Sequence, residues 1–363
     1  MKKYSASLSV GLLVLLLAAC GGDESSDGEE QDIDNASEEE QPEEEDLPAE
    51  EAEEVGTEEA DEEEASGDPH PLTGLPTEDM NDHRPLAVVI NNHPQARPQT
   101  GLNEADLTYE ILAEGSTTRF VSLFHSEEPD LVGPVRSARA YHLDLASGFD
   151  SLFVTHGWSP EAQDRLIAGE MAYLNGLNYD GTLFQRSADR PAPHDSYITY
   201  DDMLTGLDQE GYTLERDFPS LEFADEPAEG GEEAEEIAIN YEDSYDVTFT
   251  YDPDNEVYTR ASDGEETVDD ETDEPLEVSN LLIAETDHQV VDEEGRRQID
   301  LASGGQALLL QNGQVHDLEW ENEDGQIVPV QNGEIVPFVP GSTWINIVPS
   351  APGLESSVTY EDS

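Results

Sequence analysis

The alternation of apolar and polar positions separates one unpatterned stretch from two patterned ones. After an apolar run at residues 8–17, regular apolar spacing does not return until about residue 71. From there to about residue 224, strand and helix signals are mixed. Residues 86–90 form a short apolar run between Pro85 and Asn91, which predicts a buried strand. Residues 107–112 alternate, and 118–124 follow across Glu114-Gly115-Ser116, a strand pair joined by a glycine-containing turn. Gly133-Pro134 opens a stretch whose spacing predicts a helix over 137–146, closed by Gly148. Residues 152–155 read as another buried strand. Ser159-Pro160-Glu161 supplies an N-cap, a first-turn proline and a first-turn acid for a helix ending near Ile167. A last short helix is predicted over 199–207.

Beyond residue 236 the strand signal stands almost alone. Tyr245, Val247, Phe249 and Tyr251 alternate, and Asp252-Pro253-Asp254-Asn255 turns the chain into Val257-Tyr258-Thr259-Arg260. Further strands are predicted at 281–284, 307–310, 315–320 and 344–348, with hairpin turns at Asn312-Gly313 and Asn332-Gly333. Trp320 and Trp344 are predicted core residues. The fold class is therefore α+β: an N-terminal mixed α/β domain over 68–224, an acidic linker over 225–236, and a mostly antiparallel β domain over 237–350. A small antiparallel sandwich or barrel suits the latter, and a tail over 351–363 ends the chain.

The unpatterned start carries an address. Lys2 and Lys3 precede the apolar run, which is too short to span a bilayer, and Leu17-Ala18-Ala19-Cys20 follows. This layout predicts a signal peptide over 1–19, and Leu-Ala-Ala-Cys resembles the bacterial lipobox, which implies lipidation of Cys20. The predicted location is the outer face of the cytoplasmic membrane, with membrane lipid as the first partner. Cys20 is the single cysteine, so neither a disulfide nor a zinc–thiolate site is expected. Residues 20–67 are dense in Asp and Glu, lack Lys and Arg, and predict a disordered acidic tether, on the order of 40 Å long as an ideal coil.

The formal charge of −73 changes the reading of partners. Binding nucleic acid needs clustered cations, so nucleic acid is excluded. No lysine follows Lys3; every later cation is arginine, whose charge persists to higher pH. An acidic, lysine-free exterior predicts adaptation to an alkaline or saline medium.

Catalytic patterns are absent. There is no Gly-x-Ser-x-Gly elbow, zinc-binding His-Glu-x-x-His, P-loop or dinucleotide fingerprint, and Asp252 to Asp263 has Val257 where a calcium loop needs glycine. No cofactor or metal is expected, and whether the protein is an enzyme stays open. The scarce arginines remain. Arg136 and Arg139, three apart on the predicted helix, share a face near its N-terminus, where an anion is favoured. With Arg119, His142, His156, Arg186 and His194 they are the candidate ligand-binding residues, for a carboxylate or phosphate of a cell-wall ligand or an envelope protein. The competing expectation is that the arginines pair with Glu110, Glu114 or Asp144 inside the core. The leading function is a non-enzymatic binding or scaffold lipoprotein; the alternative is a hydrolase or transferase acting on peptidoglycan or another envelope polymer, with His156 or His194 as acid–base groups.

Several stretches carry a family resemblance. Pro71-Leu72-Thr73-Gly74-Leu75, Ala96-Arg97-Pro98-Gln99-Thr100-Gly101-Leu102, Val132-Gly133-Pro134-Val135-Arg136-Ser137-Ala138-Arg139, Arg190-Pro191-Ala192-Pro193-His194 and Pro340-Gly341-Ser342-Thr343-Trp344 resemble the YerB-like lipoproteins of Firmicutes. Trp158, after His156-Gly157, and Asp195, after His194, depart from that pattern. The resemblance covers nearly everything after the tether. It implies a two-domain envelope lipoprotein and brings no assigned activity.

Overall fold

The computed structural model describes residues 67–78, 80–241 and 245–361. The predicted signal peptide, Cys20 and all of the predicted tether except Gly67 lie outside the described residues. Among those described, no helix is long and apolar enough to cross a membrane.

The N-terminal domain is a mixed sheet with helices. Its strands are β1 (Leu86–Asn91), β2 (Leu107–Glu114), β3 (Thr117–Phe124), β4 (Leu152–Thr155) and β5 (Tyr173–Asn175), and its longer helices are α1 (Ala140–Ser147), α2 (Pro160–Ile167) and α3 (Tyr200–Gln209). β1, with sequence LAVVIN, is buried along its whole length, as a strand covered on both faces must be. β4 and β5 run parallel to it, whereas β3 is antiparallel to both β1 and β2. α2 starts as its sequence predicts: Ser159 Oγ accepts the Ala162 N–H and Pro160 occupies the first turn.

The C-terminal domain is mostly antiparallel β. It contains β6 (Glu236–Asn240), β7 (Asp246–Asp252), β8 (Val257–Ser262), β9 (Asn280–Thr286), β10 (Gly305–Gln311), β11 (Gln314–Glu323), β12 (Gln326–Gln331), β13 (Thr343–Pro349) and β14 (Val358–Glu361). Asn312-Gly313 and Asn332-Gly333 take positive φ at both turn positions, the hairpin geometry their sequence signals. Pairing of Glu232–Glu233 with β11 and the start of β6 at Glu236 draw the end of the acidic linker into sheets. The C-terminal tail adds β14 beside β6.

A closed sandwich or barrel of its own is not what the second domain builds. β13 lies between β9 and β2, parallel to both, so one 12-stranded sheet runs through both domains. The remaining strands β6, β7, β8 and β14 belong to a second, six-stranded sheet. One face of the large sheet (Val88, Ile90, Phe120 and Trp344) shares a core with Ile237, Val247 and Phe249 of the small sheet and with Met203 of α3. The opposite face (Val89, Tyr109 and Val121) packs with Leu143 of α1 and Leu166 of α2. Trp320 and Trp344 are core residues, each 1% exposed.

Candidate functional site

The carboxyl ends of the parallel strands β1 and β4 fall on one edge of the sheet, where ligands of open α/β sheets bind. β1 runs out into Asn91-Asn92-His93 and β4 into His156-Gly157. Across this edge passes an extended segment, residues 132–139. Its backbone is tied on both sides: Val135 N donates to Ser196 O at 2.6 Å and Arg136 N to Val89 O at 2.7 Å. His156 N and Thr155 Oγ1 donate to Arg136 O at 3.1 and 2.9 Å. These bonds correct the helix expected over 137–146. Strands already hold the peptide groups that a first helical turn would need, so α1 starts at Ala140 with Arg139 as N-cap. Arg136 and Arg139 therefore do not share a helix face.

The candidate arginines have separate surroundings. Arg119 and Arg139 are both ion-paired to Glu114, Arg119 at 2.7 Å, and Arg119 also donates to Ser137 O. Both are buried, at 3% and 8% exposure. His142 is fully buried, and its Nδ1 accepts the Arg139 N–H at 3.1 Å. Burial, followed by Arg119 and Arg139, holds His142 neutral far below the usual imidazole range. These three groups brace the edge from within. Arg136 is different. Every other arginine is engaged: ten sit in ion pairs within 4 Å of a carboxylate, and Arg297 donates to Gly115 O at 2.7 Å. The half-buried Arg136 guanidinium has neither an ion pair nor a hydrogen bond among the described residues. Burial and the nearby Arg119 push its pKa down to about 10. An anion at this point would relieve both effects.

Two histidines sit in the same neighbourhood, tied to the strand end two residues beyond Val89, whose carbonyl accepts the Arg136 N–H. His93, which sequence reasoning missed, stacks on His194 with ring centroids 4.5 Å apart and planes 22° apart. His93 Nδ1 accepts the Gln95 N–H at 3.1 Å, and His194 Nδ1 accepts from the Asn91 amide at 2.8 Å. Each neutral ring thus carries its proton on Nε2, as a donor. Burial lowers the pKa of both; for His93 Arg97 and then Arg136 add to it, for His194 His93 and then Arg136. The signal for His93 was its position just past the end of a buried strand, in Asn91-Asn92-His93-Pro94.

His156 belongs to a neighbouring chain of contacts. Its Nε2 lies 3.1 Å from Arg186 Nη2 and its Nδ1 2.7 Å from Ser196 Oγ. Arginine can only donate, so Nε2 is the acceptor and Nδ1 carries the proton. Nδ1 then donates to Ser196 and cannot take the serine proton, which disarms this pair as a nucleophile–base dyad. Arg186 is held by Asp180 and Asp195, at 2.9 and 2.7 Å. Asp195, the departure noted after His194, is thus the carboxylate that satisfies Arg186. Burial and then Arg186 lower the His156 pKa. Among the described residues no cluster of His, Cys, Asp and Glu is arranged to hold a metal ion.

The candidate site is therefore Arg136 with His93 and His194, supported by Asn91, a set of hydrogen-bond donors. Residues 72–213, which contain all of it, match the family described as "Protein of unknown function (DUF3048) N-terminal domain", and residues 237–345 match its C-terminal domain. The chain belongs to the DUF3048 family. A relative from Bacillus subtilis (strain 168), named "Putative lipoprotein YerB", is 48% identical over 284 residues, 77% of this chain and 86% of the relative. The crystal structure of YerB protein from Bacillus subtilis superposes with a TM-score of 0.76 at 46% identity, covering 81% of this chain and 99% of that one.

Contacts also cross between the two DUF3048 domains. Glu110 on β2 and Arg260 on β8, 0% and 1% exposed, pair at 2.8 Å. Tyr245 Oη donates to Glu110 at 2.8 Å, and the Asn92 amide donates to Tyr245 Oη at 2.7 Å. Arg97 donates to Asn92 Oδ1 at 3.1 Å and to Asp263 at 2.8 Å. The strand end that carries His93 is thereby anchored in the second domain.

Proposed function

We propose that this DUF3048 protein is an extracytoplasmic lipoprotein, anchored through Cys20, that binds an anionic group of a cell-envelope ligand at Arg136. The lipobox-like Leu17-Ala18-Ala19-Cys20 and the likeness to a Bacillus subtilis protein named as a lipoprotein support the anchor. One observation carries the binding reading. In a chain with 87 acidic residues, an arginine with no carboxylate beside it is not explained by a shortage of acids. Its backbone is fixed by Val89 and His156 while its head group is left unpaired, so the anion is to come from a ligand. The hydrolase or transferase alternative has the Ser196–His156 contact in its favour, but the tautomer set by Arg186 opposes it.

The test is binding of the full chain, in detergent, to purified cell-wall fragments. Arg136→Ala is expected to weaken saturable binding about tenfold or more, the loss of one charge-assisted contact, with its unfolding transition retained. Arg119→Ala and Arg139→Ala are expected to lower stability instead, because each leaves Glu114 short of a partner. No saturable binding, or binding that survives Arg136→Ala, overturns the proposal.

A further inference from the structure

The donors at the site narrow the class of anion. A carboxylate brings one negative charge on two oxygens, and the fork of one guanidinium already engages both of those oxygens. At this edge the donors come from three separate segments: His93 after β1, Arg136 on the crossing 132–139 segment and His194 in the loop before Ser196. A tetrahedral oxyanion offers an oxygen to each. The stacked rings add a second property. Both Nδ1 atoms are already engaged as acceptors, by Gln95 N and the Asn91 amide, so each ring meets a ligand through Nε2.

We propose, resting on the anion-binding reading above, that the group bound at Arg136 is a phosphate monoester or inorganic phosphate, and that the His93–His194 pair takes up protons when it binds. The groups that set this linkage are few. The charged groups acting on His93 are Arg97 from its own segment and Arg136 from the crossing 132–139 segment, and His194 from the loop stacks on it. His194 faces His93, Arg136, Asp195 and Arg190. Asp195 alone favours a charged ring, and its carboxylate is engaged by Arg186. Burial and the neighbouring cations keep both rings neutral near pH 7. A dianion reverses that balance and draws protons from solution, by the same linkage that ties any pKa change to binding. A monoanionic carboxylate supplies half the charge and two oxygens only.

The experiment is calorimetric titration of the full chain in detergent at pH 7.5, in two buffers of different ionisation heat. The ligands are inorganic phosphate, glycerol 3-phosphate and acetate. The expected result is one phosphate site with net proton uptake of up to two per site, acetate about tenfold weaker or worse, and no phosphate binding in folded Arg136→Met. His93→Gln/His194→Gln is expected to abolish the proton uptake and weaken binding about tenfold. Glycerol 3-phosphate binding more tightly than inorganic phosphate identifies a lipid-type headgroup as the source; the reverse order identifies free phosphate. Acetate binding as tightly as phosphate, or phosphate binding without proton uptake, overturns this inference and leaves the Arg136 proposal standing. Phosphate binding retained in Arg136→Met overturns it as well. Wall fragments held through Arg136 with no affinity for phosphate sink this inference alone, whereas the absence of all anion binding sinks both.

Discussion

Asp106 shows how a single buried acid sets a pH window in this protein. It is 1% exposed, just before β2, and accepts hydrogen bonds from Ser126 Oγ and, at 3.1 Å, from Ser126 N. Burial outweighs these bonds and raises its pKa from 3.8 to about 6. The folded state therefore holds this proton more tightly than the unfolded chain does. The resulting stability is complete below pH 4 and is lost as pH rises through about 6. Asp106→Asn removes the dependence, so its stability relative to the native protein should climb between pH 4 and 7, by up to roughly 3 kcal/mol. Urea unfolding of both proteins at intervals across that range measures it. Parallel stability curves would contradict the assignment. What the sequence showed at this scale was uneven. That arginines were scarce and worth following was legible from composition. Which of them kept a free head group was not, because Glu114 reaches Arg119 and Arg139 only once the strand pair and the 132–139 segment are folded together.

At the scale of elements, local chemistry was read well where it is self-contained. The β1 run, the β2–β3 pair, the Ser159 cap and the Asn-Gly turns all depend on neighbours a few residues away, and each stands where its pattern placed it. The expected helix start at Ser137 failed for the opposite reason. The partners of 132–139 come from Val89, His156, Ser196 and Gly157, up to about 60 residues distant in sequence, and no local propensity encodes them. Three-residue strands such as β5 are too short to display a period. The Glu110–Arg260 pair connects elements across the two domains and is closed to solvent. Removing one partner, as in Glu110→Ala or Arg260→Ala, is expected to cost about 3–5 kcal/mol, because the other charge stays buried and unpaired. The double variant should lose much less than the sum of the two, a coupling that denaturant titration of the four proteins would read. Additive losses would mean that the pair does not act as a unit.

For the molecule as a whole, the shared sheet matters more than the domain boundary. Two domains are legible in the sequence because the acidic break at 225–236 interrupts the apolar pattern. Their fusion is not, since the place of β13 between β9 and β2 rests on parallel pairings of long sequence separation. Removing Thr343–Pro349 takes the central strand from the large sheet and exposes the edges of β2 and β9, so a chain ending at residue 342 is expected to lose cooperative folding in both domains. Calorimetry of the full chain should show one dominant unfolding transition for the described region. Two well-separated transitions, with the N-terminal one intact in the truncated chain, would show that the domains are energetically independent.

The central claim is that Arg136 alone among the arginines is left for a ligand's anion. Side-chain Nε–H spectra of the full chain in detergent test it most directly, with the Arg136 signal assigned by its loss in Arg136→Lys. Titration with a soluble digest of cell-wall material should move the Arg136 signal progressively while those of Arg119 and Arg139, held by Glu114, stay in place. Movement of Arg119 or Arg139 with Arg136 unchanged, or no movement of any arginine, would contradict the account.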